Sequence, residues 1–412
     1  MLPLILPSDR VILAKEDSYK INDIVVFLRG KMLIAHRIVY GSPDGKYFIT
    51  KGDNNVRTDK KISPDAILGK VVALKRGKRT IPINHLYLIQ SSFYLSELAT
   101  IAKLFKRAGI NYIILRGVAT HLRFTGEPPQ RHYADSDILV RPRDFVKTVE
   151  VLEKAGYNKL PPTLFGIEFV NATEASLTKP LLPYPVNIDL HRNLGIPFTK
   201  LVQLNSLFPK MSAFENELFK HRAWVKINRT LLPLLNKEYL FVYTTLHWYK
   251  HNFEGAHRVD LIQSLMGAGV NLSKAIGIAN KYKLSAVTHL SLLIMKKYFS
   301  IELPKGLLPR LKVGRLKKLL IYLSLPFLSP FSTGTRALSG IKRVFLVLAL
   351  SPTSFAQKLR LLLSRKTLQF LPLTVFSLVW GKLTRAGRSR YIIEDYASHE
   401  LNPNSKTKSI SL

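Results

Sequence analysis

The 412-residue chain contains no cysteine, so disulfides and cysteine-based zinc sites are excluded, which fits a cytoplasmic protein. Acidic residues are scarce: 27 Asp and Glu face 62 Lys and Arg, a formal net charge of +35. Between Ile301 and Arg390 the only acid is Glu302. An excess of this size calls for a polyanionic neighbour, whether nucleic acid, nucleotide or an anionic membrane. Long apolar runs are also missing. The uncharged run from Leu319 to Thr335 carries Pro326 and Pro330 and falls short of the roughly 20 residues that cross a bilayer as a helix. The apolar opening Met1 to Leu6 is cut short by Asp9 and Arg10, so no secretory signal is expected. There is no helix-turn-helix signature and no aromatic-rich RNA-binding motif, which leaves nucleic acid open as a partner without a sequence-specific reader.

What is present is enough for two or three folded domains, with 47% hydrophobic residues. The stretch from Leu115 to Val140 carries the densest chemistry. A strand-like run, Tyr112 to Leu115, ends in Arg116-Gly117, where a missing side chain lets backbone approach a ligand. Asp135-Ser136-Asp137 then leads into Ile138-Leu139-Val140. Strand side chains alternate, so the two aspartates share a face and Ser136 takes the other. Paired carboxylates on an apolar strand repel each other and resist desolvation, and hard oxygen ligands suit Mg²⁺ or Mn²⁺. Val186 to His191 offers a third carboxylate, Asp189, on a neighbouring strand. A solvated strand end is the plainer alternative for the first pair.

In order, Arg116-Gly117, Arg131, Asp135 to Pro142, Gly156-Tyr157 and Asp189-Leu190-His191 resemble the nucleotidyltransferases of the DNA polymerase β superfamily, in an uncharacterised prokaryotic branch. The resemblance covers roughly the middle half of the chain. It implies transfer of a nucleoside monophosphate from an NTP, with Mg²⁺ or Mn²⁺ held by Asp135, Asp137 and Asp189, which are also the catalytic residues. It gives Arg116, Gly117 and Arg131 to the nucleotide phosphates; for Arg131, an ion pair with the aspartates stays equally open. The superfamily often has Gly-Ser or Gly-Gly after its strand, whereas this chain has Gly117-Val118. The acceptor, a protein, peptide, small molecule or RNA, is not specified.

Before position 78, short alternating runs separated by turns predict a small all-β domain. Asn22 to Phe27, His36 to Val39, and Lys51 to Asn55 followed by Asp59 resemble boxes of the signal peptidase and LexA-like serine peptidases. That resemblance makes His36, Asp53 and Asp59 a base-and-orienter remnant. The family's serine would precede Met1-Leu2-Pro3, so this domain reads either as a serine endopeptidase with its nucleophile upstream or as a binding module. Turn chemistry and strand packing are the ordinary reading of the same three residues.

Lys75 to Arg79 reads as a basic linker. Helical spacing follows from Ser92 to Ala108, from Pro142 to Gly156, and through 236–298. His247 and His251 lie one helical turn apart, with helix packing weighed above zinc. Basic residues interrupt apolar runs at 341–348 and 358–363, a pattern suited to helices lying on an anionic membrane with Trp380 at the interface, or to ordinary amphipathic packing. The expected fold class is α+β multidomain: a signal peptidase-like β domain (1–78), a mixed α/β nucleotidyltransferase core (85–200), a helical domain (201–304), basic amphipathic helices (305–390) and a disordered tail (391–412). The expected location is cytoplasmic, either free or peripheral on the inner face of the cell membrane. A protein that binds without catalysis remains the third functional class.

Overall fold

Runs rich in β-branched residues before position 83 form strands, as their alternation predicts. They are β1 (Arg10–Ala14), β2 (Ile24–Arg29), β3 (Met32–Gly41), β4 (Phe48–Lys51), β5 (Lys61–Ile62), β6 (Ile67–Arg76) and β7 (Arg79–Pro82). The computed structural model describes residues 4–6, 8–42, 44–53, 55, 58–125, 133–160, 163–164, 167–168, 174–181, 184–195, 207–253, 257–328, 330, 346 and 348–363. Described residues up to 83 form one compact unit and those within 84–378 a second.

In the first unit the strands run β1-β6-β2-β3-β4-β5, with β7 also on β6, and every neighbouring pair is antiparallel. Val25, Phe27, Ile38, Phe48 and Ile67 form its buried core. The segment expected as a linker is a hairpin. Lys75 and Arg76 end β6, Arg79 opens β7 opposite Arg76, and Gly77 makes the turn at φ +58°, which a residue without a Cβ adopts without strain.

The second unit combines a mixed sheet with helices, consistent with an α+β class. Helix α1 (Ile83–Arg107) runs to Gly109, which ends it at φ +65°. Then come β8 (Tyr112–Arg116), α2 (Val118–Thr125), β9 (Ser136–Val140), α3 (Phe145–Lys154), β10 (Asn158–Leu160), β11 (Thr163–Leu164), β12 (Ile167–Glu168), β13 (Glu174–Lys179) and β14 (Val186–His191). Beyond them lie α4 (Met211–Lys220), β15 (Arg222–Ile227), β16 (Thr230–Leu235), α5 (Lys237–Lys250), α6 (His257–Gly267), α7 (Leu272–Lys281), α8 (Ser285–Phe299) and α9 (Arg315–Ser324). The sheet order is β10-β13-β14-β9-β8-β16-β15. Pairing is parallel for β14 with β9 and for β16 with β8, and antiparallel for β9 with β8.

Alternation along the central strands separates two cores. Ile114, Ile138, Val140, Ile188 and Leu190 pack with Leu98, Ile101 and Phe105 of α1. On the opposite face, Ile113, Leu115 and Leu139 belong to the core built by α4, α5, α7 and α8, where Phe241, Leu246, Trp248 and Leu290 are fully buried. Each large aliphatic side chain removed from water in this way contributes roughly 2 kcal/mol. Asn236 caps α5 by accepting the Tyr239 N–H at 3.0 Å, which fixes where that helix meets the sheet. Among the described residues no helix is long and apolar enough to cross a membrane.

Candidate active site

The three central strands line up Arg116, Asp137 and Asp189. Asp137 on β9 is the register partner of Asp189 on β14 and of Arg116 on β8. The second pairing depends on an irregularity between Ile114 and Arg116: without the shift Leu115 would stand opposite Asp137, and the bulge carries the guanidinium to the carboxylate face. That face is the one Leu139 shares, toward the helical core. Ser176 on β13 continues the row, donating to Asp189 Oδ1 at 2.7 Å.

Charge in this row is tightly balanced. Arg116 Nε donates to Asp137 Oδ2 at 2.5 Å, and its Nη2 lies 3.7 Å from Asp135 Oδ1. His191 Nε2 lies 2.9 Å from Asp137 Oδ1, so both oxygens of this buried carboxylate are engaged. Burial alone would raise the Asp137 pKa; the Arg116 charge and the His191 bond outweigh it and hold the group well below the usual carboxylate range. Asp189 goes the other way. Burial, and then the charges of Asp135 and Asp137, push it up to about 7, only partly offset by His191 and the Ser176 hydroxyl.

Gly117 sits at φ +125°, and a Cβ there would come within 2.8 Å of Ser136 Oγ and 3.3 Å of its Cα. The close approach that the glycine permits is therefore that of β9 itself. Ser136 points away from the aspartates, is fully buried, and its hydroxyl has no partner among the described residues. Helix α2 opens directly after Gly117 and leaves the first-turn amides characteristic of a helix start. Arg131 lies outside the described residues.

Two groups in this neighbourhood went unassigned in the sequence. His191 was visible in the Asp-Leu-His run, but only its position two residues after Asp189, on the same strand face, gives it Asp137 as a partner. Tyr243 reads in the sequence as one more apolar position of α5. In the fold it is fully buried, its hydroxyl has no partner among the described residues, and the charges of Asp137, Arg116 and Asp135 act on it. The rings of His247 on α5 and of His251, its C-cap residue, lie 4.6 Å apart, and His247 packs against Tyr243 at 5.8 Å.

A divalent cation can be tested against these residues. The donor chemistry fits: three carboxylates share one face, and Asp189 is a buried acid that its neighbours disfavour in the charged form. The side chains do not converge as a cage, since among the described residues no three His, Asp or Glu side chains are placed to hold an ion. Arg116 supplies the positive charge beside Asp137 instead.

The β unit holds a second constellation. His36 Nδ1 lies 2.5 Å from Asp59 Oδ2, and Asp59 also accepts from Thr50 Oγ1 at 2.8 Å and pairs with Arg29 at 2.8 Å. Burial pushes the Asp59 pKa up, but the bonds from His36, Thr50 and Arg29 bring it down to about 2. Asp53 does not join His36: Arg37 takes both its oxygens, at 2.8 and 2.7 Å. Gly52 is needed beside the imidazole, where a Cβ would stand 2.8 Å from His36 Nε2.

No curated protein matches the chain. Among solved structures it is similar to an antigenic nucleotidyltransferase-like protein from Paracoccidioides brasiliensis, at 14% identity, covering 47% of this chain and 91% of that one, with a TM-score of 0.31 that carries no weight for the fold. A family profile described as "uncharacterised nucleotidyltransferase" matches residues 85–300, just over half of the chain and the whole of the aspartate row, and the chain belongs to that family.

Proposed function

We propose that the second unit transfers a nucleoside monophosphate from an NTP to an acceptor hydroxyl. The acceptor oxygen attacks the α-phosphorus, the bond to the bridging oxygen breaks, pyrophosphate leaves, and the acceptor proton passes to a carboxylate. The observation that carries this reading is the row Arg116, Asp137, Asp189 with Asp135 beside it. Asp189, the register partner of Asp137, is the proton acceptor by its place in the row; burial and its acidic neighbours raise its pKa, and a bound cation would lower it. His191 and Ser176 fix the two carboxylates from either side. Arg116 has five N–H donors on a planar fork, and its exchange from Asp137 to the incoming phosphates would free a carboxylate as it binds the triphosphate. Asp135 and Asp189, joined by Asp137 once Arg116 has moved to the phosphates, would hold Mg²⁺ or Mn²⁺, which would neutralise the charge on the transferred phosphorus.

The test is an incubation of the purified chain with NTPs labelled at the α-phosphate, Mg²⁺ or Mn²⁺ and a small-molecule and protein extract. Transfer of label from one NTP with release of pyrophosphate is expected. It should fall about 100-fold or more in Asp189→Asn. Equal transfer by wild type and Asp189→Asn would end this reading.

A second reading attaches to the β unit, because His36 and Asp59 form a base-and-orienter pair held by Thr50 and Arg29. With a serine supplied from an upstream extension, this pair would support peptide hydrolysis. A serine-directed phosphonate probe applied to the natural gene product should label it in a His36-dependent way; the absence of labelling leaves the pair structural.

A further inference from the structure

Helix α9 is apolar on two faces, one buried and one exposed. Ile321 and Ser324 are buried and Lys317 and Lys318 half-buried, while Leu316, Leu319 and Leu323 are 71%, 55% and 61% exposed. Spaced three and four residues apart, these leucines occupy one face of the helix. Phe327, just beyond, is 81% exposed. Soluble surfaces scatter single apolar residues; a helix that buries Ile321 and still keeps a row of three leucines outward is built for an apolar neighbour.

The first turn of the same helix borders a cleft of about 530 Å³. Lys283, Lys312, Arg315 and Lys317 line it and no carboxylate does. Gly314 occupies the N-cap and provides no side-chain cap, so the helix start adds its own positive end. Leu316 belongs to both the cleft wall and the leucine face. Burial and the nearby Lys358 charge lower the pKa of Lys317, as expected where cations crowd without an anion. From Leu303 to Ile393 the sequence has no acidic residue at all.

We infer that this face of α9 docks on an anionic phospholipid surface, with Leu316, Leu319, Leu323 and Phe327 entering the acyl boundary and the basic cleft taking a lipid phosphate. A leaflet stacks anionic phosphate over hydrocarbon, and α9 stacks its cleft beside its leucines in the same way. Charge decides against a second copy of the chain, which would bring an equally cationic face to this one. It also decides the order of alternatives for nucleic acid, which would satisfy the cleft and leave the leucines in water.

The experiment is flotation of the full chain with phosphatidylcholine vesicles, with and without phosphatidylglycerol. Two surface variants accompany it, Leu319→Glu with Leu323→Glu and Lys312→Glu with Arg315→Glu, each checked for an unchanged melting temperature. Binding is expected only to the anionic vesicles, weakened about 30-fold or more by either double variant and reduced by salt. Failure of the wild type to float overturns the inference, as does binding that survives Leu319→Glu with Leu323→Glu. Arg315-dependent binding of tripolyphosphate or of single-stranded RNA without vesicle binding overturns it too, by assigning the cleft to a soluble anion or to nucleic acid. So does a dimer lost in the leucine variant without vesicle binding.

Discussion

Arg116 Nε stands 2.5 Å from Asp137 Oδ2 across the β8–β9 register, with little of either side chain reaching solvent. A buried pair of this kind gives little net stability as a unit, yet removing one partner strands the other charge. Asp137→Asn should therefore destabilise the second unit by about 3–5 kcal/mol, and adding Arg116→Met should recover much of that loss. Urea unfolding of Asp137→Asn, Arg116→Met and the double variant measures the coupling; additive losses would mean that the pair is not closed in solution.

Asp189 predicts a pH dependence of the opposite sense to an ordinary ion-paired acid. Its folded pKa is raised from 3.8 to about 7, so the unfolded chain gives up its proton first as pH rises. With divalent ions chelated, stability is fully present below about pH 4 and declines until about pH 7, by on the order of 4 kcal/mol. Asp189→Asn should flatten this slope while abolishing transfer. A wild-type stability that climbs between pH 5 and 7 through this residue would contradict the assignment.

Gly117 cannot be replaced cheaply. Alanine there faces both a φ of +125° and a 2.8 Å approach to Ser136 Oγ. Gly117→Ala should cost about 2 kcal/mol or more, and Ser136→Gly in the same chain should return only the steric part, since the backbone strain remains. Thermal unfolding of the single and double variants separates the two contributions.

In the β unit Asp59 is an acid whose pKa is held down to about 2. Its stabilising contribution is present above pH 3.8 and fades as pH falls through about 2. Asp59→Asn should remove that acid transition and raise amide exchange along β3, whereas Asp53→Asn should act through Arg37 and leave His36 in place. Hydrogen exchange resolved by strand reads both; equal effects of the two variants on β3 near His36 would contradict the pairing.

Much of this arrangement was readable from local pattern. Period-two alternation put Asp135 and Asp137 on one face, and a second apolar strand nominated Asp189. Local pattern could not supply register between strands distant in sequence, and so the bulge at Leu115 that turns Arg116 toward the carboxylates was invisible. Arg116 was expected on phosphates; it rests on Asp137. Asp53 was expected near His36, but Arg37, one residue along β3, competes for it. Tyr243 shows the same limit, because its helical spacing matches a core residue and only tertiary packing brings it to the charges. The hairpin at Gly77 was hidden by its charge, since Lys75 to Arg79 reads as a linker until β7 is seen to pair with β6.

The central claim, that the aspartate row binds a metal-associated nucleotide, is tested most directly by calorimetric titration of each NTP into the folded chain with Mn²⁺ and with EDTA. Binding of at least one NTP is expected only with the ion, and should weaken about tenfold or more in Asp135→Asn, whose side chain is 37% exposed against 4% for Asp137. Nucleotide binding that is identical in EDTA, or unchanged by Asp135→Asn, would contradict it.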